Sequence, residues 1–311
     1  VYFHKDSPGF NITTKLRFFA AQVSVKSYFG AHSKIISLTR TDFSPHFIRF
    51  EGIGAGVLSN RTIDVLLPPG YHDQPGRDFP VLYMHDGQNL FDDKLSYSGQ
   101  SWRAGDTASR LMQENAIEPA IICGIWNTSK RIGEYFPQRV LEQTVSDIHD
   151  NWFTKYYKVE VLSDAYLRLI MEDLHPLLLE KFRVSRRPKP AWLCGSSMGG
   201  LISLYGACEY AHFFAGAACL STSWTIVGWP VIDYLKEKLP GPDDRRWYFD
   251  YGVEEHIGNY KHIQNEVDSL AERKGYRMNE NWLTARFPGA HHSEAAWRDR
   301  LGIVLKHLMP A

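Results

Sequence analysis

The chain has 311 residues, 44% hydrophobic and 23% charged, and its 35 basic side chains balance 35 acidic ones. Zero net charge excludes the basic field that nucleic-acid binding needs and the polybasic patch that holds a protein on an anionic membrane. The length allows one large α/β domain with a core that needs no disulfide staples, and no apolar run reaches the roughly eighteen residues of a membrane-spanning helix.

Residues 1–33 show no sustained period and read as an N-terminal extension of unassigned role; residues 34–311 read as a single domain. Residues 15–21 pair charge with a short apolar run, too short for a signal peptide. The compartment therefore stays open: cytoplasmic, or secreted or periplasmic after removal of a leader.

From Ser44 the pattern sharpens. Residues 47–50 (Phe-Ile-Arg-Phe) and 61–67 alternate as strands. The glycines between them (52, 54, 56) predict a hairpin connection, because no helix follows as a dinucleotide cradle would require. Residues 79–85 and 119–126 are continuous apolar runs of buried-strand type, separated by a helix over 102–115. Residues 127–161 read as a long polar-aromatic loop, which in a compact domain points to a lid or a functional segment. A helix over 165–182 follows, with Asp164 as its expected cap. Further strands are read in the apolar run 191–194 and at 213–220, 246–252 and 282–287, with a Ser/Trp loop after the second of these. Helices are read after 200, at 260–274 and at 294–308. Strands alternating with helices predict a mostly parallel sheet covered on both faces, made mixed by the antiparallel hairpin at its start. Cys123, Cys194, Cys208 and Cys219 fall in apolar strand or helix patterns with no Cys-x-x-Cys, so buried free thiols are expected.

One stretch carries chemistry. Gly195-Ser196-Ser197-Met198-Gly199 joins a buried strand to a helix and fits the G-x-S-x-G nucleophile elbow. Ser197 is its central serine; Ser196 holds the variable position. Acyl transfer by serine also needs a base, a group that orients the base, and donors for the developing oxyanion. In a parallel sheet these collect at the carboxyl ends of the strands, in the chain order serine, acid, histidine. The loop after the last strand offers His291 and His292. The loop after residues 246–252 offers Glu255, three residues beyond Gly252, with Glu254 as the alternative acid; Asp250 is still in the strand. Met198, following the nucleophile, and Gln88, just past Gly87, are the expected oxyanion donors. His85 and Asp86 are read as shaping the Gln88 loop.

The motifs Leu-Pro-Pro-Gly-Tyr (67–71), Met-His-Asp-Gly-Gln-Asn-Leu-Phe (84–91), Gly-Ser-Ser-Met-Gly-Gly-Leu (195–201) and Pro-Gly-Ala-His-His-Ser-Glu-Ala-Ala-Trp (288–297) together resemble an esterase family. That family includes esterase D-like enzymes, feruloyl and acetylxylan esterases, enterochelin esterases and mycolyltransferases. The resemblance runs from about Ser44 to Leu308 and implies an α/β-hydrolase fold. It implies His292 as the catalytic histidine, since the family places it directly before Ser/Asn-Glu. Its acid varies among members, which leaves Glu255 and Glu254 both open here. Arg131 and Glu134 match an Arg-x-x-Glu pairing of structural type. Trp126, Asn127, Tyr135 and Trp224 come from loops at the same sheet end and are candidate pocket walls or lid packing.

The reading is a serine carboxylic ester hydrolase acting on short-chain, aryl or carbohydrate esters, feruloyl and acetyl types included. Two alternatives are acyl transfer to an alcohol on the same scaffold and a catalytically silent carbohydrate- or partner-binding protein. No cofactor or metal is implied, because the sequence holds no H-E-x-x-H, Walker loop or Cys/His zinc spacing.

Overall fold

The computed structural model describes residues 23–24, 39–44, 46–144, 152–252 and 260–311. Among the described residues ten strands form one sheet in the order β1-β2-β3-β4-β6-β5-β7-β8-β9-β10. They are β1 (Val23–Ser24), β2 (Thr39–Ser44), β3 (Phe47–Ile53), β4 (Arg61–Leu66), β5 (Val81–His85), β6 (Ile121–Ile125), β7 (Ala191–Ser196), β8 (Phe214–Leu220), β9 (Arg246–Gly252) and β10 (Trp282–Phe287). The pairings from β1 to β4 and from β4 to β6 are antiparallel. All the others, from β6 across to β10, are parallel.

Sequence pattern explains this division. Every residue of β5, β6, β7 and β8 is buried. That is the signature of parallel strands covered on both faces, where no side of the pleat meets water. β3 instead alternates partly buried with buried positions over its first four residues. Its glycine-containing connection to β4 is the antiparallel hairpin expected from the sequence. Val23–Ser24, inside the segment read as an extension, pairs with β2 and lies at the sheet edge.

Two apolar layers cover the sheet. On one face α5 (Ser163–Arg168), α6 (His175–Lys181), α7 (Met198–Glu209), α9 (Pro230–Lys238) and α10 (Tyr260–Arg273) bury Tyr166, Leu177, Leu201, Leu235 and Val267. On the other, α1 (Ala104–Gln113) and α11 (Glu294–Leu308) pack together and bury Leu111, Leu301 and Leu305. All four cysteines are buried free thiols. Burial pushes each thiol above its ordinary value, which keeps it protonated and unreactive.

Three local expectations change. The segment read as a loop over 127–161 holds α2 (Arg131–Tyr135), α3 (Gln138–Glu142) and α4 (Trp152–Tyr157), each too short to show a helical period. The Ser/Trp loop after β8 holds α8 (Trp224–Val227) and α9. Asp164 is not a cap: Leu162 holds the position before α5 and makes no side-chain cap bond. The Asp164 carboxylate instead accepts a 2.5 Å hydrogen bond from the Tyr205 hydroxyl of α7. Between α5 and α6 the helix widens to π geometry over Leu169–Leu174.

Candidate active site

The turn between β7 and α7 is built by close backbone approach. A Cβ on Gly195 would stand 2.6 Å from the carbonyl carbon and oxygen of Gly199, inside contact distance of groups that cannot rotate away. With no Cβ there, the chain doubles back, and Ser197 takes φ 57°, ψ −121° between strand and helix. A side-chain-bearing residue rarely adopts that conformation, which persists only where its surroundings enforce it. The enforcement comes from the end of β8: the Ser197 N–H donates to Leu220 O at 2.8 Å, and the Ser223 N–H donates to Ser197 O at 3.1 Å. Ser197 remains partly exposed, and its hydroxyl shares a 2.9 Å hydrogen bond with the Ser223 hydroxyl. Ser196 is buried in β7, so the chain presents Ser197 and withholds its neighbour.

The loop after β5 lies against this elbow. A Cβ on Gly199 would meet Asp86 Oδ2 at 3.4 Å and His85 Cβ at 3.5 Å. Asp86 is left-handed, φ 56°, and opens the 3-10 turn Gly87–Asn89. Its carboxylate is held by both arms of Arg131 at 2.7 Å and by the Asn127 amide at 2.5 Å. Burial would raise the Asp86 carboxyl, but the Arg131 guanidinium and these hydrogen bonds outweigh it and hold the group below its ordinary range. Its backbone N–H donates to the Tyr135 hydroxyl at 3.3 Å. Burial drives His85 down to about 3, with Arg131 and Arg61 acting in the same direction against Asp86. His85 is therefore neutral at neutral pH, its Nδ1 bonded to the Tyr166 hydroxyl at 2.7 Å. Both residues shape the loop that carries Gln88, as read from the sequence. The Gln88 side chain accepts from the Asn127 N–H at 3.2 Å. Met198 is the first residue of α7, where N–H groups have no intrahelical acceptor and the helix dipole favours negative charge.

His292 lies on the loop from β10 to α11 and is exposed, as is His291. Its ring meets Trp297 edge-on, centroids 5.0 Å apart and planes at 83°. Ser293 caps α11 by accepting from the Ala296 N–H. The first turn of α11, which follows this loop, meets the segment between β5 and α1 in two places. Asn89 Nδ2 donates to Glu294 Oε1 at 3.5 Å, and the Trp102 and Trp297 rings lie 5.8 Å apart. Glu254 and Glu255 lie outside the described residues. Asp250, fully buried, is committed within the core: it accepts from the Ser221 N–H and the Tyr248 hydroxyl and pairs with Arg300.

The candidate pocket residues divide. Trp224 is fully buried, stacked on Phe249, with its indole N–H on Gln264. Tyr135 is fully buried between His85 and Tyr166. Neither lines an accessible wall; the core claims them because aromatic bulk with one satisfied polar tip fills volume well. Trp126 and Asn127 keep partial exposure, Trp126 tied to Asp64 and covered by Arg49, Asn127 to Asp86. Arg131 and Glu134 do not pair with each other. Arg131 takes Asp86, while Glu134 takes Arg61 at 2.7 Å in an ion pair closed to solvent. Sequence reasoning missed Ser223, whose one local signal is the polar Ser-Thr-Ser run (221–223) directly after a buried strand. Among the described residues no cluster of His, Cys, Asp or Glu could hold a metal ion, and no helix is long and apolar enough to cross a membrane.

Comparison with known proteins adds to this geometry. The family model described as "Putative esterase" matches residues 56–308. A Bacillus subtilis (strain 168) protein, "Uncharacterized protein YbbA", is 25% identical over 241 residues, covering 75% of this chain and 86% of that one. Among solved structures, a ferulic acid esterase superposes with a TM-score of 0.59 at 15% identity, covering 84% of this chain and 96% of that one. The enterobactin esterase FES from Shigella flexneri, solved in the presence of enterobactin, superposes with a TM-score of 0.59 at 16% identity. That match covers 96% of this chain but spans only 61% of the FES chain. At these identities the structural likeness is one of fold.

Proposed function

The chain belongs to the esterase family, with an α/β-hydrolase fold, and is an enzyme of the carboxylesterase type; on that premise we propose that it cleaves carboxylic esters through an acyl-enzyme on Ser197. His292 takes the proton as the Ser197 hydroxyl attacks the ester carbonyl, then gives it to the leaving alcohol. Water, activated by the same imidazole, releases the acid. Glu255, or Glu254 in its place, orients the imidazole. The backbone N–H groups of Met198 and Gln88 receive the oxyanion. Substrates are small esters with a short-chain, aryl or carbohydrate component.

The observation that carries this reading is the enforced φ of 57° at Ser197, between a buried strand and a helix N-terminus, with the residue partly exposed. Backbone strain of this kind is concentrated at functional sites. A second feature bears on the acyl side. Ser223 precedes α8, and Val227 is four residues on, about 6 Å along the helix. There an apolar depression of about 120 Å³ is lined by Phe136, Val140, Leu141, Thr144, Val227 and Pro230. Its size is well under that of sites for drug-sized ligands and suits a short acyl chain or a single ring.

A fluorophosphonate probe together with a panel of p-nitrophenyl, feruloyl and acetylated-sugar esters tests the proposal. Wild-type protein is expected to be labelled and to cleave short esters, and Ser197→Ala and His292→Ala to lose both properties. Unlabelled wild-type protein, or full activity in Ser197→Ala, would end the reading.

A further inference from the structure

We infer that Ser221, Trp297 and Arg300 form a buried positioning hub that fixes the His292 loop relative to Ser197; the inference rests on the roles of Ser197 and His292 proposed above. The hub begins in the turn after β8. Ser221 is left-handed, φ 44°, a backbone state unfavourable for serine. Its N–H is held by Asp250, by the backbone carbonyl at 2.9 Å and by Oδ1 at 3.1 Å. Its hydroxyl oxygen accepts two hydrogen bonds from α11, from Trp297 Nε1 at 3.0 Å and from Arg300 Nη2 at 2.7 Å. One serine oxygen thus anchors two successive turns of the helix whose entry loop carries His292.

Each end of the hub reaches one reacting group. Toward the nucleophile, Leu220 O accepts from the Ser197 N–H, the Ser223 N–H donates to Ser197 O, and the Ser223 and Ser197 hydroxyls bond at 2.9 Å. Within one turn, Leu220 and Ser223 therefore hold the elbow on one side and Ser221 holds α11 on the other. Toward the base, the Trp297 ring meets the His292 ring edge-on, and Trp102 covers the same indole. Arg300 braces the other flank. Its Nε lies 3.0 Å from Asp250 Oδ2, and its guanidinium lies 5.1 Å from the centre of Phe287, the last residue of β10 before the histidine loop.

Packing alone does not call for this cluster. An isolated buried charge pair contributes little net stability over an apolar filling of the same volume, because desolvation offsets the attraction. What directional bonds add is a fixed orientation. Here they tie α11, which follows the histidine loop, to the turn after β8 that also holds Ser197, and proton transfer between serine and histidine is sensitive to displacements of a fraction of an ångström.

The test compares Trp297→Phe, Ser221→Gly, their double variant, Arg300→Lys and Arg300→Met with wild type. Phenylalanine keeps a ring against His292 but loses the bond to Ser221. Glycine suits the left-handed backbone while removing the hydroxyl, so either single variant can carry the test. With p-nitrophenyl acetate, each of the two is expected to lower kcat by about 10- to 100-fold with KM within about threefold, and the fluorophosphonate labelling rate to fall by a similar factor. The double variant is expected to be no worse than the weaker single within about threefold, because both break the same link. Arg300→Lys is expected to keep more activity than Arg300→Met. Folded Trp297→Phe and Ser221→Gly proteins with wild-type kcat would overturn the hub while Ser197→Ala remained inactive. An active Ser197→Ala protein would overturn the esterase mechanism beneath it.

Discussion

Replacing Gly87 by alanine tests whether the loop after β5 supplies a donor to the reaction. Gly87 has no left-handed φ, so the substitution acts through space alone. An added Cβ would stand 2.7 Å from the Gly124 carbonyl carbon and 2.8 Å from the backbone nitrogen and carbonyl carbon of Ile125. Ordinary contact begins at 3.4 Å, so loop and strand must separate by about 0.7 Å. β6 is paired on both sides within the sheet and cannot retreat easily. The displacement therefore falls on Gly87 and on the N–H of the next residue, Gln88. Losing one oxyanion donor outright costs about 100- to 1000-fold in kcat. A displacement of this size, short of complete loss, is expected to cost about 10- to 100-fold, equivalent to about 1.4–2.7 kcal/mol of barrier. Steady-state kinetics on a short p-nitrophenyl ester, run beside a thermal melt, measures it. The expected result is a fall in kcat with KM nearly unchanged. A folded Gly87→Ala protein with wild-type kcat would refute the assignment of Gln88.

Three further outcomes follow from the same structure. Asp86 is held below its ordinary range in the fold, so its contribution is complete above about pH 4 and is lost as the pH falls through the folded value. Denaturant melts should therefore show a stability gap between wild type and Asp86→Asn that is constant from pH 6 to 8 and narrows below pH 4; a gap that widens in acid contradicts the Arg131 pairing. Arg61→Met strands the buried Glu134 carboxylate and is expected to cost about 3–5 kcal/mol, or about 5–8 °C in Tm. Adding Glu134→Gln should recover most of that loss, and a double variant as unstable as the single would show that the pair is not the cause. Val227→Trp should fill the depression beside α8, lowering kcat/KM for butyryl esters about tenfold or more relative to acetyl esters; an unchanged chain-length profile would detach this depression from the acyl group.

Several parts of the molecule are legible in sequence because they are set by neighbours a few residues apart. The continuous apolar runs in β5 and β6 mark buried strands, and their alternation with helices marks a mostly parallel sheet. The Gly-Ser-Ser-Met-Gly turn separated Ser197 from Ser196 because a glycine was required where the chain meets itself. The short helices α2, α3, α4 and α8 were not legible, since four to six residues do not complete enough turns for a period to stand out.

Side-chain partnerships divide in the same way. Arg131 and Glu134, three apart, invite a local pair, yet each faces a different strand end and finds Asp86 and Arg61, 45 and 73 residues away. Trp224 and Tyr135 have the composition of pocket walls, but the layer above the sheet buried them. Ser221, Trp297, Arg300 and Asp250 have no spacing that links them, being separated by up to 79 residues along the chain. The sequence by itself determined the strand–turn–helix that offers Ser197, the buried character of the strands around it and the histidine loop that follows the last of them, because hydrophobic period and glycine sterics act over a single turn. The tertiary structure alone decided which charges meet, which aromatics are closed to solvent and what ties the nucleophile turn to α11, because such contacts depend on how distant segments are brought together by the sheet.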